Sequence, residues 1–147
     1  MKIYAENKKG RFNYEIKEEY EAGIVLTGPE VKSVKSGQIS IKESYATVHG
    51  GEIFLTNSHI SPYKPARTDG YSPTRSRKLL LSKREIAKIA GFLGQDGYSL
   101  IPLQVYPKAG LVKILLGLGR GKKKYDKRET IKKREQEREI VRALKNK

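Results

Sequence analysis

A small antiparallel β-barrel with short helices and a basic tail is the fold class that this sequence predicts, and three observations predict it. Apolar and polar residues alternate in several short runs, the period of a half-buried strand. Gly50-Gly51 and the stretch "PKAG" separate such runs as hairpin turns do. Near Gly121 the alternation stops and charge takes over. Closing the sheet is the natural way to bury strands without leaving open edges. The expected organisation is a mostly β domain over residues 1–120, with two or three short helices, and a basic tail over 121–147.

The elements follow in chain order. "RFNYEI" places Phe12, Tyr14 and Ile16 at strand spacing. "EAGIVLTG" continues as a buried strand, which Gly28 ends. "GPEVKSVKSG" reads as a short helix: Pro29 suits the first position, Glu30 the positive end of the dipole, and Gly37 the stop. Ile39, Ile41, Tyr45 and Val48, then Ile53 and Leu55, flank the Gly50-Gly51 turn as a hairpin. "SPYKPARTDGYSPTRSRK" is a long surface loop, a kind of segment that often carries function. "SKREIAKIAGFLG" is a second helix, with a Ser82/Glu85 capping box and Ile86, Ile89, Ala90 and Leu93 on one face. "YSLIPLQVYPKAGLVKILLGLGRG" gives two further strands.

The charge is strong and uneven. The 147 residues carry 31 Lys+Arg against 16 Asp+Glu, a net of +15. Residues 120–147 hold 13 of those cations and 5 of the anions, so 28 residues carry +8 of the excess. Such a field selects a polyanionic partner, either nucleic acid or an anionic membrane surface. The tail has too broken an apolar stripe to hold a helix on a core: Ile131 and Ile140 have no apolar residue between them. It also lacks the apolar face that a membrane-surface helix needs. A tail disordered when free and helical on a polyanionic partner is therefore expected, beside the plainer reading of a solubilising basic tail.

Several chemistries are excluded. With no cysteine there are no disulfides, thiolate metal sites or cysteine nucleophiles. "MKIYAENKKG" lacks the apolar stretch of a signal peptide and no run nears the ~20 residues of a bilayer span, so a soluble intracellular protein is expected. "GLGRGKKK" fails as a P-loop, because Leu116 and Lys123 stand where Gly and Ser/Thr are required. It fails as a dinucleotide fingerprint because Lys122 stands where the third Gly belongs. His49 and His59 have no carboxylate partner at ligand spacing, and no nucleophile elbow appears. No enzyme, metal or cofactor is expected.

What remains is RNA. Lys8, Lys9, Arg11, Lys32, Lys35, Arg67, Arg75, Arg77, Lys78, Lys113, Arg120 and Lys122–Lys124 are candidates to neutralise phosphates. Tyr4, Tyr14, Tyr20, Tyr45, Tyr63, Tyr71 and Tyr98 offer rings, each of which also suits core or surface packing. A basic barrel of this kind fits a general or ribosomal RNA-binding protein without shape specificity.

The segments "NKKGRFNYEI", "EYEAGIVLTGPEVKSVKSG", "SYATVHGGEIFLTNSHISPY", "RKLLLSKREI" and "GYSLIPLQVYPKAGLVKILLGLGRGKKKYDKRE" together strongly resemble the SsrA-binding protein family, also called small protein B. "EAGIVLTGPEVKS" and "GKKKYDKR" carry the resemblance most specifically. Gly119 and Gly10 stand where that family commonly has Ala. The resemblance implies a barrel like the oligonucleotide-binding fold. It implies binding to the tRNA-like domain of transfer-messenger RNA, and delivery to stalled ribosomes in trans-translation. Elongation factor Tu is implied as a partner through the shared RNA. The protein itself is expected to be non-catalytic, cytoplasmic and monomeric. The family's RNA surface maps onto Asn7, Glu30, Lys32, Ser33, Leu79 and Leu80, to which charge adds Lys8, Lys35, Arg77, Lys78 and Lys113. Glu30 fits equally as a helix N-terminal residue. In the family the tail enters the decoding centre and empty mRNA channel of the small subunit. That role maps onto Lys122, Lys123, Lys124, Tyr125, Asp126, Lys127 and Arg128. Tyr125 is expected to stack on a base, the cations to pair with phosphates and Asp126 to cap a helix.

Overall fold

The computed structural model describes residues 2–67, 69–95 and 97–122. Of these, 45% are strand and 21% helix, so the molecule is mostly β. In chain order the elements are β1 (Ala5–Glu6), α1 (Lys8–Asn13), β2 (Tyr14–Ile24), α2 (Gly28–Lys35), β3 (Ile39–Ser40), β4 (Tyr45–His49), β5 (Glu52–Thr56), β6 (His59–Ile60), β7 (Arg77–Leu80), α3 (Lys83–Leu93), β8 (Tyr98–Lys108) and β9 (Leu111–Gly121). Seven strands pair in the order β1-β8-β4-β5-β7-β2-β9, and β9 pairs also with β8. All of these pairings are antiparallel; β3 and β6 form a separate two-stranded ladder.

Two turns set the register, and both follow from residue type. Gly50 and Gly51 have φ of 59° and 75°, the left-handed pair that a two-residue hairpin needs, and His49 faces Glu52 across them. In "PKAG", Ala109 and Gly110 play the same part at φ 51° and 77°, joining Lys108 to Leu111. The resulting β8–β9 hairpin and the β2–β9 pairing are the longest ladders of the sheet. Their inward residues, among them Leu100, Val105, Ile114, Leu116 and Leu118, join Ile53, Leu55, Leu79 and Val34 in one core. The ladder still includes Gly121, and the Lys122 N–H donates to the Asn13 carbonyl at 2.8 Å.

Several elements differ from the sequence expectation: β7 takes up Arg77 and Lys78, expected in the loop, and β2 ends at Ile24 rather than at Gly28. Arg11–Asn13 belong to α1, so the strand begins at Tyr14. Asn7 starts that helix, its side chain accepting from the Gly10 N–H at 3.0 Å. β3 and β4 are separate, because the Ser44 hydroxyl donates to the Ile41 carbonyl at 2.7 Å and turns the chain between them. On α3, Ile89 is buried and Ile86, Phe92 and Leu93 pack beside it, whereas Ala90 is exposed: Phe92 leans on Tyr98, ring centroids 5.2 Å apart, in its place.

Gly10 and Gly119 sit where backbone or side chain comes close. A Cβ at Gly119 would land on the Glu15 carbonyl oxygen and 2.9 Å from its carbon. A Cβ at Gly10 would meet the Asn7 amide nitrogen and the Ile101 methyl, each at 2.9 Å. Glu15 and Ile16 lie just before the bulge that shifts the β2–β9 register. Gly119→Ala is therefore expected to push β2 outward and to cost about 1–3 kcal/mol, the range for overpacking. A urea midpoint equal to that of the unaltered protein would refute this.

Candidate nucleic-acid interface

α2 is the ridge on which the candidate site is built. Thr27 caps it with a full capping box: Thr27 Oγ1 accepts from the Glu30 N–H at 3.3 Å, and Glu30 Oε1 accepts from the Thr27 N–H at 3.0 Å. On one side α2 turns Val34 into the core and buries Glu30 and Ser33. Lys32 and Lys35 remain exposed. Lys32 Nζ lies 5.4 Å from the centre of the Tyr63 ring, a cation–π contact that fixes one loop aromatic against the helix.

Beneath this ridge lies a buried ionic node. Arg77 is fully buried, and Glu30 is 1% exposed. Arg77 Nε donates to Glu30 Oε2 at 2.8 Å. One terminal nitrogen of Arg77 donates to the Ser58 carbonyl at 3.1 Å and hydroxyl at 2.9 Å; the other donates to the Pro73 carbonyl at 2.9 Å and the Tyr71 hydroxyl at 3.2 Å. Arg75 donates to both Glu30 oxygens, at 3.2 Å to Oε2, and the Tyr71 O–H donates to Oε2 at 3.1 Å. Among the described residues no buried side-chain polar atom lacks a partner, so the node is fully satisfied. Burial pushes the Glu30 carboxyl up. Arg75, the Thr27 N–H and Arg77 outweigh that and hold it down at about 2. The node ties α2, β7 and the 61–76 loop together. The Ile60 N–H donating to the Pro73 carbonyl at 3.0 Å adds a further anchor.

This changes the part that several candidates can play. Asn7, Glu30, Ser33, Arg77 and Leu79 were expected at the RNA surface, but all five are buried. The Asn7 amide is occupied by the Gly10 N–H and by the Pro102 carbonyl, to which it donates at 3.0 Å. Arg77 and Leu79 are inward neighbours on β7, two residues apart, so alternation leaves Lys78 and Leu80 outward. These five side chains are buried, and of them Glu30 and Ser33 still line the cavities beside α2. Arg75 is likewise drawn into the Glu30 pair, and Tyr20 is a core residue. Lys78 is partly exposed and pairs with Glu52 at 2.9 Å, an exchangeable surface contact. Lys8 is exposed on α1.

Leu80 and Lys113 lie on one flank of α2 and Tyr63 on the other. On the Val31 flank, Leu80 and Lys113 meet at a cleft of about 240 Å³ with Ile24, Leu26 and Leu111. Leu80 and Leu111 are 53% and 59% exposed, an apolar shelf beside a cation. On the other flank, α2 and the 61–76 loop enclose two cavities that share Tyr63. Arg120 lies elsewhere, 4.6 Å from the centre of the Tyr98 ring. Of the tail candidates only Lys122 is described; Lys123, Lys124, Tyr125, Asp126, Lys127 and Arg128 lie outside the described residues. Among the described residues no group of three or more His, Cys, Asp or Glu is placed to hold a metal, and no helix is long and apolar enough to cross a membrane.

Exposed cations, partly covered tyrosines and an apolar shelf above a buried ionic node are the features of a polyanion-binding protein with a β-rich body. The comparisons sharpen this class. Residues 4–146 match the SmpB protein family. An SsrA-binding protein of Geobacillus sp. (strain WCH70) is 53% identical over 143 residues, 97% of this chain and 92% of that one. Another, of Anoxybacillus flavithermus (strain DSM 21510 / WK1), is 52% identical over 143 residues, with 97% and 93% covered. A chain solved in "tmRNA-SmpB: a journey to the center of the bacterial ribosome" is 42% identical with a TM-score of 0.67, covering 86% of this chain and 92% of that one. The chain belongs to the SmpB family of SsrA-binding proteins.

Proposed function

We propose that this protein binds the tRNA-like domain of transfer-messenger RNA and brings it to stalled ribosomes for trans-translation. The observation that carries the proposal is family membership at about half identity over nearly the whole chain, joined to the outward cations Lys32 and Lys35 on α2. Lys32, Lys35, Lys113 and Leu80 would meet the RNA. Asn7, Glu30, Ser33, Arg77 and Leu79 would hold that surface in shape. The strand pairings, which return from β9 to β8, support a closed barrel like the oligonucleotide-binding fold. The protein would act in the cytoplasm as a non-catalytic monomer. It would meet elongation factor Tu only through the shared RNA. The tail from Lys122 to Arg128 would enter the decoding centre and the empty mRNA channel.

A competitive gel shift tests the proposal. The competitors are the tRNA-like half of transfer-messenger RNA, an ordinary elongator tRNA and a single-stranded oligonucleotide. Preference for the tRNA-like half is expected. Equal, steeply salt-dependent binding to all three would leave only a general basic RNA-binding protein. Lys32→Ala is expected to reduce the salt slope by about 0.7–0.9, one phosphate contact. An unchanged slope would remove Lys32 from the interface.

A further inference from the structure

The cavity between α2 and the 61–76 loop has walls unlike those of a plain phosphate groove. It holds about 260 Å³, near the lower end of small-ligand pockets at about 300 Å³. Pro29, Pro62, Tyr63 and Tyr71 supply flat apolar surface, and Arg67 and Asp69 supply charge. Ser61, Pro62 and Tyr63 also line the adjoining cavity, so the Tyr63 side chain borders two open spaces. The Tyr71 wall is fixed, because its hydroxyl is held by Glu30, by the Ile60 carbonyl at 2.9 Å and by Arg77. Among the described residues Arg67 and Asp69 pair with each other, at 3.3 Å, and their side chains are 90% and 84% exposed. Such a pair contributes little and opens readily to a better partner.

We infer that this cavity receives one unstacked guanine base of the bound RNA, stacked on Tyr63 and read by Asp69. Resting on the RNA-binding reading above, it adds a base-specific subsite to it. A splayed base buries its face on an aromatic side chain and exposes its pairing edge to polar groups. A carboxylate only accepts, and guanine alone among the four bases offers two adjacent donors, the ring N–H and the exocyclic amine, to its two oxygens. Arg67, released from Asp69, is free for the flanking phosphate, as is Lys32 above the ring. Adenine and cytosine offer a single amino group there, and uracil places carbonyls against the carboxylate.

The test is chemical footprinting of the tRNA-like half of transfer-messenger RNA with a reagent specific for the guanine pairing edge. It compares full-length wild-type protein with Tyr63→Ala and Asp69→Asn, both loop positions outside the buried node. Wild-type protein is expected to protect a single-stranded guanine. Both variants should lose that protection while keeping the rest of the footprint. Tyr63→Ala should weaken binding about 5- to 150-fold, the range for one stacked base. Asp69→Asn should weaken binding less and narrow the preference for guanine over adenine at that nucleotide, because an amide donates as well as accepts. Protection unchanged in both variants would overturn the guanine subsite and leave the RNA-binding reading standing. A wild-type protein with no footprint at all would overturn the RNA-binding reading itself.

Discussion

Arg77→Ala is expected to lose about 3–5 kcal/mol of folding stability, the cost of removing one partner from a buried ion pair. The loss is large because Arg77 is enclosed and committed at every donor: to Glu30, to the Ser58 carbonyl and hydroxyl, to the Pro73 carbonyl and to Tyr71. Removing it leaves Glu30 with Arg75 alone among cations and strips the 61–76 loop of its main anchor. RNA affinity should fall with stability, since α2 and the loop lose their common floor. Urea unfolding would measure the loss, and a value within about 1 kcal/mol of wild type would sink the account of the node. The pH dependence gives an independent check. Glu30 sits at about 2 in the folded protein, below the ordinary value of 4.5. A depressed carboxyl contributes stability that is present above 4.5 and lost as pH falls toward 2. Glu30→Gln should therefore lack the part of the acid destabilisation that wild type shows between those values.

The node also marks what could be read from the sequence. Hairpin turns were legible because left-handed backbone demands Gly, and both Gly50-Gly51 and Gly110 lie where the alternating runs break. α2 and α3 were legible from punctuation: Pro29 and Gly37 for one, Ser82 with Glu85 for the other. The Thr27/Glu30 capping box was equally open to reading, as Thr-x-x-Glu before Val31, and assigns Glu30 a local role. β7 carried another signal. In "RKLL" adjacent residues face opposite sides, so Arg77 and Lys78 do not share a face, nor do Leu79 and Leu80. The Glu30–Arg77 pair itself left no local trace, because its partners are 47 residues apart and meet only when β7 docks between β5 and β2. A buried arginine and a surface arginine look alike in composition. Charge counting thus finds the class of partner and overestimates the number of cations available to it.

Truncation before Tyr125 is expected to leave binding to the tRNA-like half of transfer-messenger RNA within a few-fold of full length, and to abolish peptide tagging on stalled ribosomes. The reasoning turns on where the charge lies and what the body already supplies. The removed residues carry nine Lys+Arg and five Asp+Glu, a net of +4 out of +15. The ridge of Lys32 and Lys35, the Leu80–Lys113 shelf and the Arg77 node are all N-terminal to the cut. β9 also ends before it, at Gly121, so the sheet keeps every ladder. Loss of +4 should flatten the salt dependence of non-specific binding and barely alter selection among RNAs, which shape and base contacts decide. Tagging is different, because in the proposed function the tail acts on the ribosome. A segment dense in cations, with one tyrosine at its start, suits a channel walled by phosphates. An empty channel would admit it, and a channel filled with mRNA would exclude it. A reconstituted tagging assay decides the matter. Tagging at the full-length level by the truncated chain would refute the tail's role while leaving the body's intact. Loss of tagging together with loss of binding to the tRNA-like half would instead move the tail into the RNA-recognition surface. Restoring tagging with a tail whose order of residues is scrambled but whose charge is kept would reduce its role to electrostatics, and failure of that chain would assign it to the order of residues from Tyr125 on.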